Sequence, residues 1–382
     1  MQPIISFIKT EKAFSFLFIS ILILSLRNLF IPLQADEITY FKISSNILSG
    51  KYYQTDYPSS VIPIIPFLMA FFSFKSVPLL GFALHKMFHI ILTVLGFRFC
   101  YLILSKLDID KRIIYSIILL TAISSNFISF LPSLYPEAII FFTFWGFLYY
   151  FNEPKNISNF KRLFFLFILL VFTRYVYAIL GLLLLIYYYS FIKKSKKDFW
   201  RLVLISLIIA SPLLFWFKYI YNIESQNLSE ISYFNRFKVG ENPLWYNIKC
   251  GLGLEKHYEV SRINGIPAFI SLFVPVTGVR NYLISFILLF AVFFGLLKKI
   301  KNTIILNLFF AFTLIILGFI LAGTGFSRYW LVLLPIIYLS YYLIYNKYFS
   351  NPKYFVLVAQ VIGLVLFLNE IRLTFLILKK IL

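Results

Sequence analysis

The amino-acid sequence predicts an all-α protein that crosses a membrane many times. Hydrophobic residues make up 61% of the 382-residue chain and charged residues only 13%, against about 25% charged residues in a typical soluble domain. Apolar runs of the length that a membrane span needs, roughly 20 residues, recur from Phe14 to Leu378 with short polar breaks between them. The bilayer is therefore the solvent for most of this chain.

The apolar runs predict about eleven transmembrane helices. We place them at about residues 13–33, 78–105, 113–131, 136–152, 161–173, 175–192, 201–221, 280–297, 303–322, 329–345 and 354–378. The first run follows Lys9 and Lys12 as a secretory signal would, but no small-residue cleavage site follows it, so we interpret it as a retained helix. The fifth and sixth runs meet at Arg174, either as a tight hairpin or as one kinked helix. The hairpin gives the better distribution of basic residues between the two sides of the membrane.

Basic residues in the short breaks predict the orientation of the chain. With the N-terminus in the cytoplasm, five basic breaks fall on the cytoplasmic side: 106–112, 155–162, 193–197, 298–301 and 347–353. The terminal Lys379-Lys380 pair is the exception, because this helix count leaves it outside. The formal charge of +21 is thus explained by topology, and it does not indicate nucleic acid binding.

Two outer segments are too long to be simple turns, residues 34–77 and residues 222–279. Within the first, residues 61–74 are apolar but short and contain two prolines, which indicates an interfacial or re-entrant helix. We predict one transmembrane domain over residues 1–382. The two cysteines and three histidines form no disulfide framework and no metal-ligand spacing.

Acidic residues are scarce, and four of them lie at or near predicted outer helix ends: Asp36, Glu37, Asp56 and Glu137. A carboxylate at such a position can simply mark the water boundary of its helix. Alternatively, a carboxylate in a cavity can have its pKa raised by desolvation and can act as a base. Position alone leaves both interpretations open.

The residues that follow the first acidic pair form an ordered pattern. Asp36-Glu37 is followed by Tyr40, then by Gly50-Lys51-Tyr52-Tyr53, then by Asp56-Tyr57-Pro58. This pattern resembles the first outer loop of GT-C superfamily membrane glycosyltransferases, in particular the bacterial branch similar to protein O-mannosyltransferases and lipid A aminoarabinose transferases. That branch carries D-E-x-x-Y, a short helix, a G-x-Y or G-x-W element, and an acidic residue or histidine beside proline.

The resemblance extends over most of the chain through three further short landmarks. Residues 131–137 (LPSLYPE) are similar to the second outer loop of the family, Phe172-Thr173-Arg174-Tyr175 to its basic turn after the fifth helix, and Ser327-Arg328-Tyr329 with Pro335 to a late R-Y…P element. Each landmark by itself is short and not specific to the family, but all of them occur in the order in which the family has them. The resemblance therefore implies a GT-C-type helical bundle with helices in its extracytoplasmic loops.

The resemblance also implies an activity: inverting transfer of a sugar from a polyprenyl-phosphate donor to a hydroxyl on a cell-envelope glycan, lipid or protein. The active site would lie on the extracytoplasmic face, with the protein in the bacterial inner membrane in contact with its lipids. Asp36 is then the expected general base. Arg174 and Arg328, with Lys86 as a weaker third candidate, would bind the donor phosphate, although snorkelling would also place such residues at helix ends.

Three other carboxylates have open roles. Glu37, Asp56 and Glu137 could orient the acceptor, bind sugar hydroxyls or hold a divalent cation, and no cofactor is indicated beyond that cation. Two rival functions remain. A secondary transporter would explain Arg98 and Glu370 inside apolar runs but would predict internal repeats, which are not seen. A polyprenyl-linked oligosaccharide polymerase or ligase would fit the long 222–279 segment.

Overall fold

A computed structural model describes the chain over residues 12–50, 52, 61–73, 78–226, 243–255, 264–273, 282–349 and 351–381. Over these ranges the secondary structure is helical, with no strand. The α-helices are α1 (Lys12–Phe30), α2 (Asp36–Leu48), α3 (Ile64–Phe71), α4 (Pro78–Leu104), α5 (Lys111–Ala122), α6 (Ser125–Phe130), α7 (Glu137–Phe151), α8 (Ile157–Thr173), α9 (Gly181–Lys194), α10 (Lys196–Gln226), α11 (Pro243–Leu252), α12 (Tyr282–Lys298), α13 (Thr303–Leu321), α14 (Leu334–Tyr348) and α15 (Pro352–Ile381). Short 3₁₀ helices span Tyr175–Leu180, Ile266–Leu272 and Ser327–Leu333.

Six helical segments in the described ranges are long and apolar enough to cross a membrane. They are Pro78–Leu104, Tyr175–Lys193, Lys196–Asn222, Thr303–Leu321, Ser327–Tyr348 and Pro352–Ile377. Shorter apolar helices cover Phe14–Leu26, Glu137–Phe151 and Tyr282–Lys298. By length and composition the chain is a multi-pass integral membrane protein. The finer prediction of about eleven spans goes beyond these six segments.

Helix α7 forms the centre of the bundle. Almost all of its side chains are buried, including Phe144 and Trp145, as expected for a helix that is apolar on every side. The indole of Trp145 donates a hydrogen bond to the carbonyl of Val332, 3.2 Å away. Gly96 of α4 lets the two helices approach closely, because a Cβ there would lie 2.5 Å from a ring carbon of Phe141. The packing fixes the position of the α7 N-terminus.

The predicted helix over residues 113–131 is interrupted, which corrects the sequence prediction. Helix α5 ends at Ala122 and α6 begins at Ser125. Between them Ser124 adopts an extended backbone, and its hydroxyl accepts a hydrogen bond from the backbone N–H of Phe127 at 3.3 Å. A serine in this position caps the new helix, so a local polar signal interrupts an apolar run that hydropathy alone describes as continuous.

The turn at Arg174 is a hairpin, one of the two alternatives that the sequence leaves open and the one it favours. Arg174 has an extended backbone, with φ −160° and ψ 118°, which ends α8. Near the other end of the hairpin, the ring of Phe160 lies 5.5 Å from that of Tyr187, and the Tyr187 hydroxyl donates to the Asn156 carbonyl at 3.4 Å. The start of α8 therefore lies beside the end of α9, as two antiparallel helices require.

Part of the first long outer segment packs as a cover over one end of the bundle. Within the predicted 61–74 stretch, α3 is an eight-residue helix, too short to span the membrane. Its Ile65 and Met69 are buried together with Leu134 and Ile139 from the start of the α7 region. The short helix therefore covers the end of the bundle at which α7 begins.

One described piece of the second long segment, residues 264–273, packs at the same end. The side-chain amide of Asn264 donates to the Gly323 carbonyl at 2.7 Å. The ring of Phe269, in the 3₁₀ helix Ile266–Leu272, lies 5.1 Å from the indole of Trp330. These contacts fix the chain on both sides of Arg328, one of the predicted site residues.

The basic breaks and Glu137 lie at opposite ends of the bundle. Lys106, after α4, forms an ion pair of 2.7 Å with Glu153, just after α7. Glu137 is the first residue of the same helix, and the 15 residues of α7 separate the two ends by roughly 20 Å. The bundle thus has a basic end, near Lys106, and a second end, at which α7 begins with Glu137.

Candidate functional site

Four charged side chains from distant parts of the sequence meet at the α7 N-terminal end. The guanidinium of Arg328 contacts the Asp36 carboxylate, with 2.6 Å between Nη2 and Oδ2, and its Nε lies 3.5 Å from Oε1 of Glu137. The same Glu137 oxygen accepts a hydrogen bond from Nη2 of Arg174 at 3.1 Å. The four groups, Asp36, Arg328, Glu137 and Arg174, form one continuous chain of alternating charge, which we call the acid–arginine chain.

Local structure explains why each member is held there. Asp36 and Glu137 lie in the first turns of α2 and α7, where the positive end of the helix dipole stabilises a carboxylate. Arg174 occupies the extended residue between α8 and the 3₁₀ helix, and Arg328 lies at the start of another 3₁₀ helix. All four are therefore at element ends, where side chains from different helices can converge.

Exposure to solvent differs sharply along the acid–arginine chain. The side chain of Asp36 is 46% exposed, whereas those of Arg328 and Arg174 are 14% and 13% exposed and that of Glu137 only 3%. A small ligand arriving from solvent would therefore meet Asp36 first. Glu137, between the two arginines, is the buried centre of the chain.

Two tyrosines hold the guanidinium planes. The Arg174 guanidinium lies 3.6 Å from the ring centroid of Tyr329, and that of Arg328 lies 4.6 Å from the ring of Tyr135. Such cation–π contacts stabilise a partly desolvated guanidinium. The sequence pattern contains both tyrosines but does not assign them this role, because nothing in sequence spacing reveals which ring faces which arginine.

The phenols near Asp36 are neutral at physiological pH. Burial raises the pKa of Tyr135 to about 12. Burial, and secondly the negative charge of Asp36, raises the pKa of Tyr40 well above its ordinary value. These hydroxyls can donate hydrogen bonds but cannot act as bases. A base at this site would therefore have to be a carboxylate.

Glu37 has surroundings unlike those of Asp36. It is buried, and its two carboxylate oxygens accept hydrogen bonds of 2.8 Å each from the backbone N–H groups of Gln34 and Leu134. Between them Ala35 has a φ of +47°, a conformation that non-glycine residues rarely adopt. Glu37 thus joins the first outer loop to the second and fixes the tight turn immediately before Asp36.

The structure places Lys86 among backbone carbonyls at the end of α1. Its ammonium donates to the carbonyls of Asn28 at 2.5 Å and Ile31 at 3.0 Å. These carbonyls are left without partners where a helix ends, so Lys86 caps α1. The structure gives Lys86 no hydrogen bond to the acid–arginine chain. Asp56, the remaining predicted site residue, lies outside the described residues.

A narrow cavity lies beside the buried half of the acid–arginine chain. Glu137, Arg174, Arg328, Tyr177 and Tyr329 line it together with apolar side chains. Three buried atoms on these residues, Oε2 of Glu137, Nη1 of Arg174 and the Tyr177 hydroxyl, have no hydrogen-bond partner. The cavity is too tight for a water molecule in this conformation. Its polar lining contains both hydrogen-bond donors and acceptors.

The sequence did not indicate Tyr177 as a site residue. Its only signal was its position three residues after Arg174, which puts both side chains near one end of the hairpin.

Two buried histidines lie close to the site but form no metal centre among the described residues. His85 stacks on Phe72 with ring centroids 5.0 Å apart, and Nδ1 of His89 lies 2.7 Å from the Ser133 carbonyl. Within the described ranges no three His, Cys, Asp or Glu side chains are grouped as metal ligands. At Glu137, two adjacent guanidinium groups would also repel a cation.

Comparison with protein-family models, curated proteins and solved structures finds no match to this chain.

Proposed function

We propose that this protein is a membrane glycosyltransferase that moves a sugar from a polyprenyl-phosphate donor to an acceptor hydroxyl. The observation that carries the proposal is the 2.6 Å contact between the exposed Asp36 carboxylate and the Arg328 guanidinium. It brings a candidate base and a candidate phosphate ligand, 292 residues apart in sequence, to one end of a membrane bundle. The resemblance of the surrounding motifs to GT-C glycosyltransferases supports the same function.

The proposed reaction is a single displacement. The acceptor hydroxyl oxygen forms a bond to the anomeric carbon as the bond from that carbon to the phosphate oxygen breaks, and the electron pair of the broken bond stays on the phosphate. The hydroxyl proton passes to Asp36. Positive charge from Arg328, supported by Arg174, stabilises the departing polyprenyl phosphate. Attack opposite the leaving group inverts the anomeric configuration.

The basic end of the bundle supports an orientation for this reaction. Short basic breaks favour the cytoplasm, and they lie at the end opposite the acid–arginine chain. We therefore propose that the site faces the extracytoplasmic side of a bacterial inner membrane. The acceptor is then a hydroxyl of a cell-envelope glycan, lipid or protein.

Sugar transfer by purified protein tests the proposal. Wild type, Asp36→Asn and Asp108→Asn proteins in proteoliposomes would be given a panel of radiolabelled polyprenyl-phosphate sugars and a cell-envelope extract. Asp108 is exposed at the basic end of the bundle, so its substitution is a matched control. We expect transfer by wild type and the control, and a loss of about 10²- to 10⁴-fold in Asp36→Asn. Full activity of Asp36→Asn contradicts the assignment of the base.

A secondary transporter is the second candidate, and one observation favours it. Glu370 is fully buried in the long apolar helix α15 and accepts a hydrogen bond of 2.5 Å from the Ser125 hydroxyl. Ionisable groups at such depth are typical of ion and substrate pathways. Solute uptake by the same proteoliposomes that depends on Glu370, without consumption of any donor, would establish this alternative.

A further inference from the structure

Arg328 contacts two carboxylates that differ in how easily they can leave. Asp36 contacts its Nη2 at 2.6 Å, and Glu137 contacts its Nε at 3.5 Å. Glu137 is almost fully buried and also binds Arg174, so moving it would leave several desolvated charges without partners. Asp36 is 46% exposed, and an exposed carboxylate loses little when it exchanges an ion pair for water. Asp36 is therefore the carboxylate that can be displaced.

The charge balance of the site favours such a displacement when an anion binds. Asp36 and Glu137 contribute two negative charges, and Arg174 and Arg328 contribute two positive charges, so the acid–arginine chain is neutral. A phosphate that simply joined it would add uncompensated negative charge beside Asp36. The phosphate is accommodated better if it takes the place of Asp36 on the Arg328 fork, which suits phosphate oxygens as well as carboxylate oxygens.

We propose that Asp36 and the donor phosphate compete for Arg328, so that donor binding releases the base. This inference rests on the proposed function and adds an order of events to it. Without donor, Arg328 holds the Asp36 carboxylate through Oδ2, so one of the two oxygens that could accept the proton is engaged. With donor, the phosphate occupies Arg328, and Asp36 is free to turn toward the acceptor hydroxyl. The site is thereby assembled for transfer only when the sugar donor is present.

The competition predicts an unusual binding result, because removing an acidic residue improves the affinity for a ligand. The probe is polyprenyl phosphate without a sugar, titrated into purified protein in nanodiscs of neutral lipid. We expect Asp36→Asn and Asp36→Ala to bind it about fivefold more tightly than wild type, a factor that corresponds to about 1 kcal/mol for the lost ion pair, whose Asp36 side chain is 46% exposed. Arg328→Gln should bind it more weakly than wild type.

The double variant separates competition from a general change in charge. In an Arg328→Gln background, Asp36→Asn should no longer tighten binding, because the two groups act through one contact. Asp108→Asn, which removes the same charge from the basic end, should bind as wild type does. Thermal unfolding of each variant identifies misfolded protein, and the Asn and Ala substitutions provide two independent tests of position 36.

The outcomes distinguish this inference from the function on which it rests. If wild type binds polyprenyl phosphate but neither Asp36 variant binds it more tightly, the competition is wrong while the phosphate site stands. The competition is also wrong if Asp36→Asn tightens binding equally with and without Arg328, since the gain is then a general charge effect. If neither wild type nor any variant binds the probe, both the competition and the proposed function are wrong.

Discussion

At the scale of single residues, Asp36 and Glu37 are sequence neighbours in one helical turn with contrasting surroundings. Successive residues of an α-helix point about 100° apart. Asp36 consequently reaches solvent and Arg328, whereas Glu37 points inward and accepts two backbone N–H groups. The first carboxylate can be reached from solvent, and the second holds the loop that carries it.

Glu37→Gln should therefore destabilise the protein. The amide of glutamine keeps one acceptor oxygen but turns an NH₂ group toward the second backbone N–H, which leaves a buried donor unsatisfied at a cost of about 1–3 kcal/mol. We expect a lower Tm in detergent than for wild type, together with reduced transfer. Asp36→Asn is the comparison, and its Tm should stay close to that of wild type. A Glu37→Gln protein with unchanged Tm and lost transfer would instead indicate a direct chemical role.

Tyr177→Phe should separate ligand binding from stability. The Tyr177 hydroxyl is buried without a partner beside Glu137 and Arg174, so its removal should leave Tm unchanged or slightly raised. If the cavity receives a hydroxyl of the transferred sugar, KM for the donor should rise by about fivefold to tenfold, as expected for one lost hydrogen bond.

Tyr187→Phe is the matched control for this change. Tyr187 is also a buried tyrosine, but its hydroxyl bonds Asn156 near the opposite end of the bundle. Its substitution should lower Tm slightly and leave KM unaltered. Equal KM effects of the two substitutions would exclude the cavity as a specific subsite.

At the scale of secondary-structure elements, the candidate site consists of helix ends. Asp36 and Glu137 begin α2 and α7, Arg174 follows α8, and Arg328 begins a 3₁₀ helix. Interaction with a helix N-terminus stabilises each carboxylate by about 0.3–1 kcal/mol. Because the helices run through a packed bundle, their ends are held more firmly than loop residues would be, which suits a site that must keep four charges in register.

Lys86→Met should reveal whether this lysine serves α1 or the donor. Its ammonium caps two carbonyls at the end of α1, so methionine should lower Tm by leaving these acceptors unsatisfied, at about 1–3 kcal/mol in total. The affinity for polyprenyl phosphate, measured in nanodiscs, should change less than twofold. A large loss of affinity at unchanged Tm would support the phosphate-binding role that the sequence suggested.

At the scale of the whole molecule, the two ends of the bundle differ in their charged residues. One end carries the basic breaks and the Lys106–Glu153 pair, and the other carries the acid–arginine chain. In a membrane this asymmetry determines the orientation. With the proposed orientation, the proposed chemistry lies on the side where cell-envelope acceptors are available.

Cysteine labelling in intact cells should verify the orientation. Both native cysteines are buried, and replacing them with alanine provides a background that no longer reacts. Exposed Ser49→Cys, at the end of α2, should react with a membrane-impermeant maleimide added outside the cells. Exposed Asp108→Cys should react only after the membrane is permeabilised. The reverse pattern would place the acid–arginine chain in the cytoplasm and contradict the proposed acceptor class.

Much of the fold could be predicted because its signals are local. The lengths and polarities of the apolar runs identify the helices, and the basic breaks predict the antiparallel hairpin that Arg174 opens. The interruption at Ser124 was missed, since hydropathy averages over a window and gives little weight to a single capping serine. Cover helix α3 was predicted in outline from its short length and its prolines.

The candidate site was predictable only as a set of residue types at helix ends. Polar groups are scarce in a membrane chain, so Asp36, Glu137, Arg174 and Arg328 stand out in the sequence by composition and spacing. Which of them touch depends on the rotation and packing of helices far apart in sequence, and only the tertiary structure decided this. It joined Asp36 to Arg328, buried Glu137 between two arginines and assigned Lys86 to the end of α1, because those distances are set by the whole bundle.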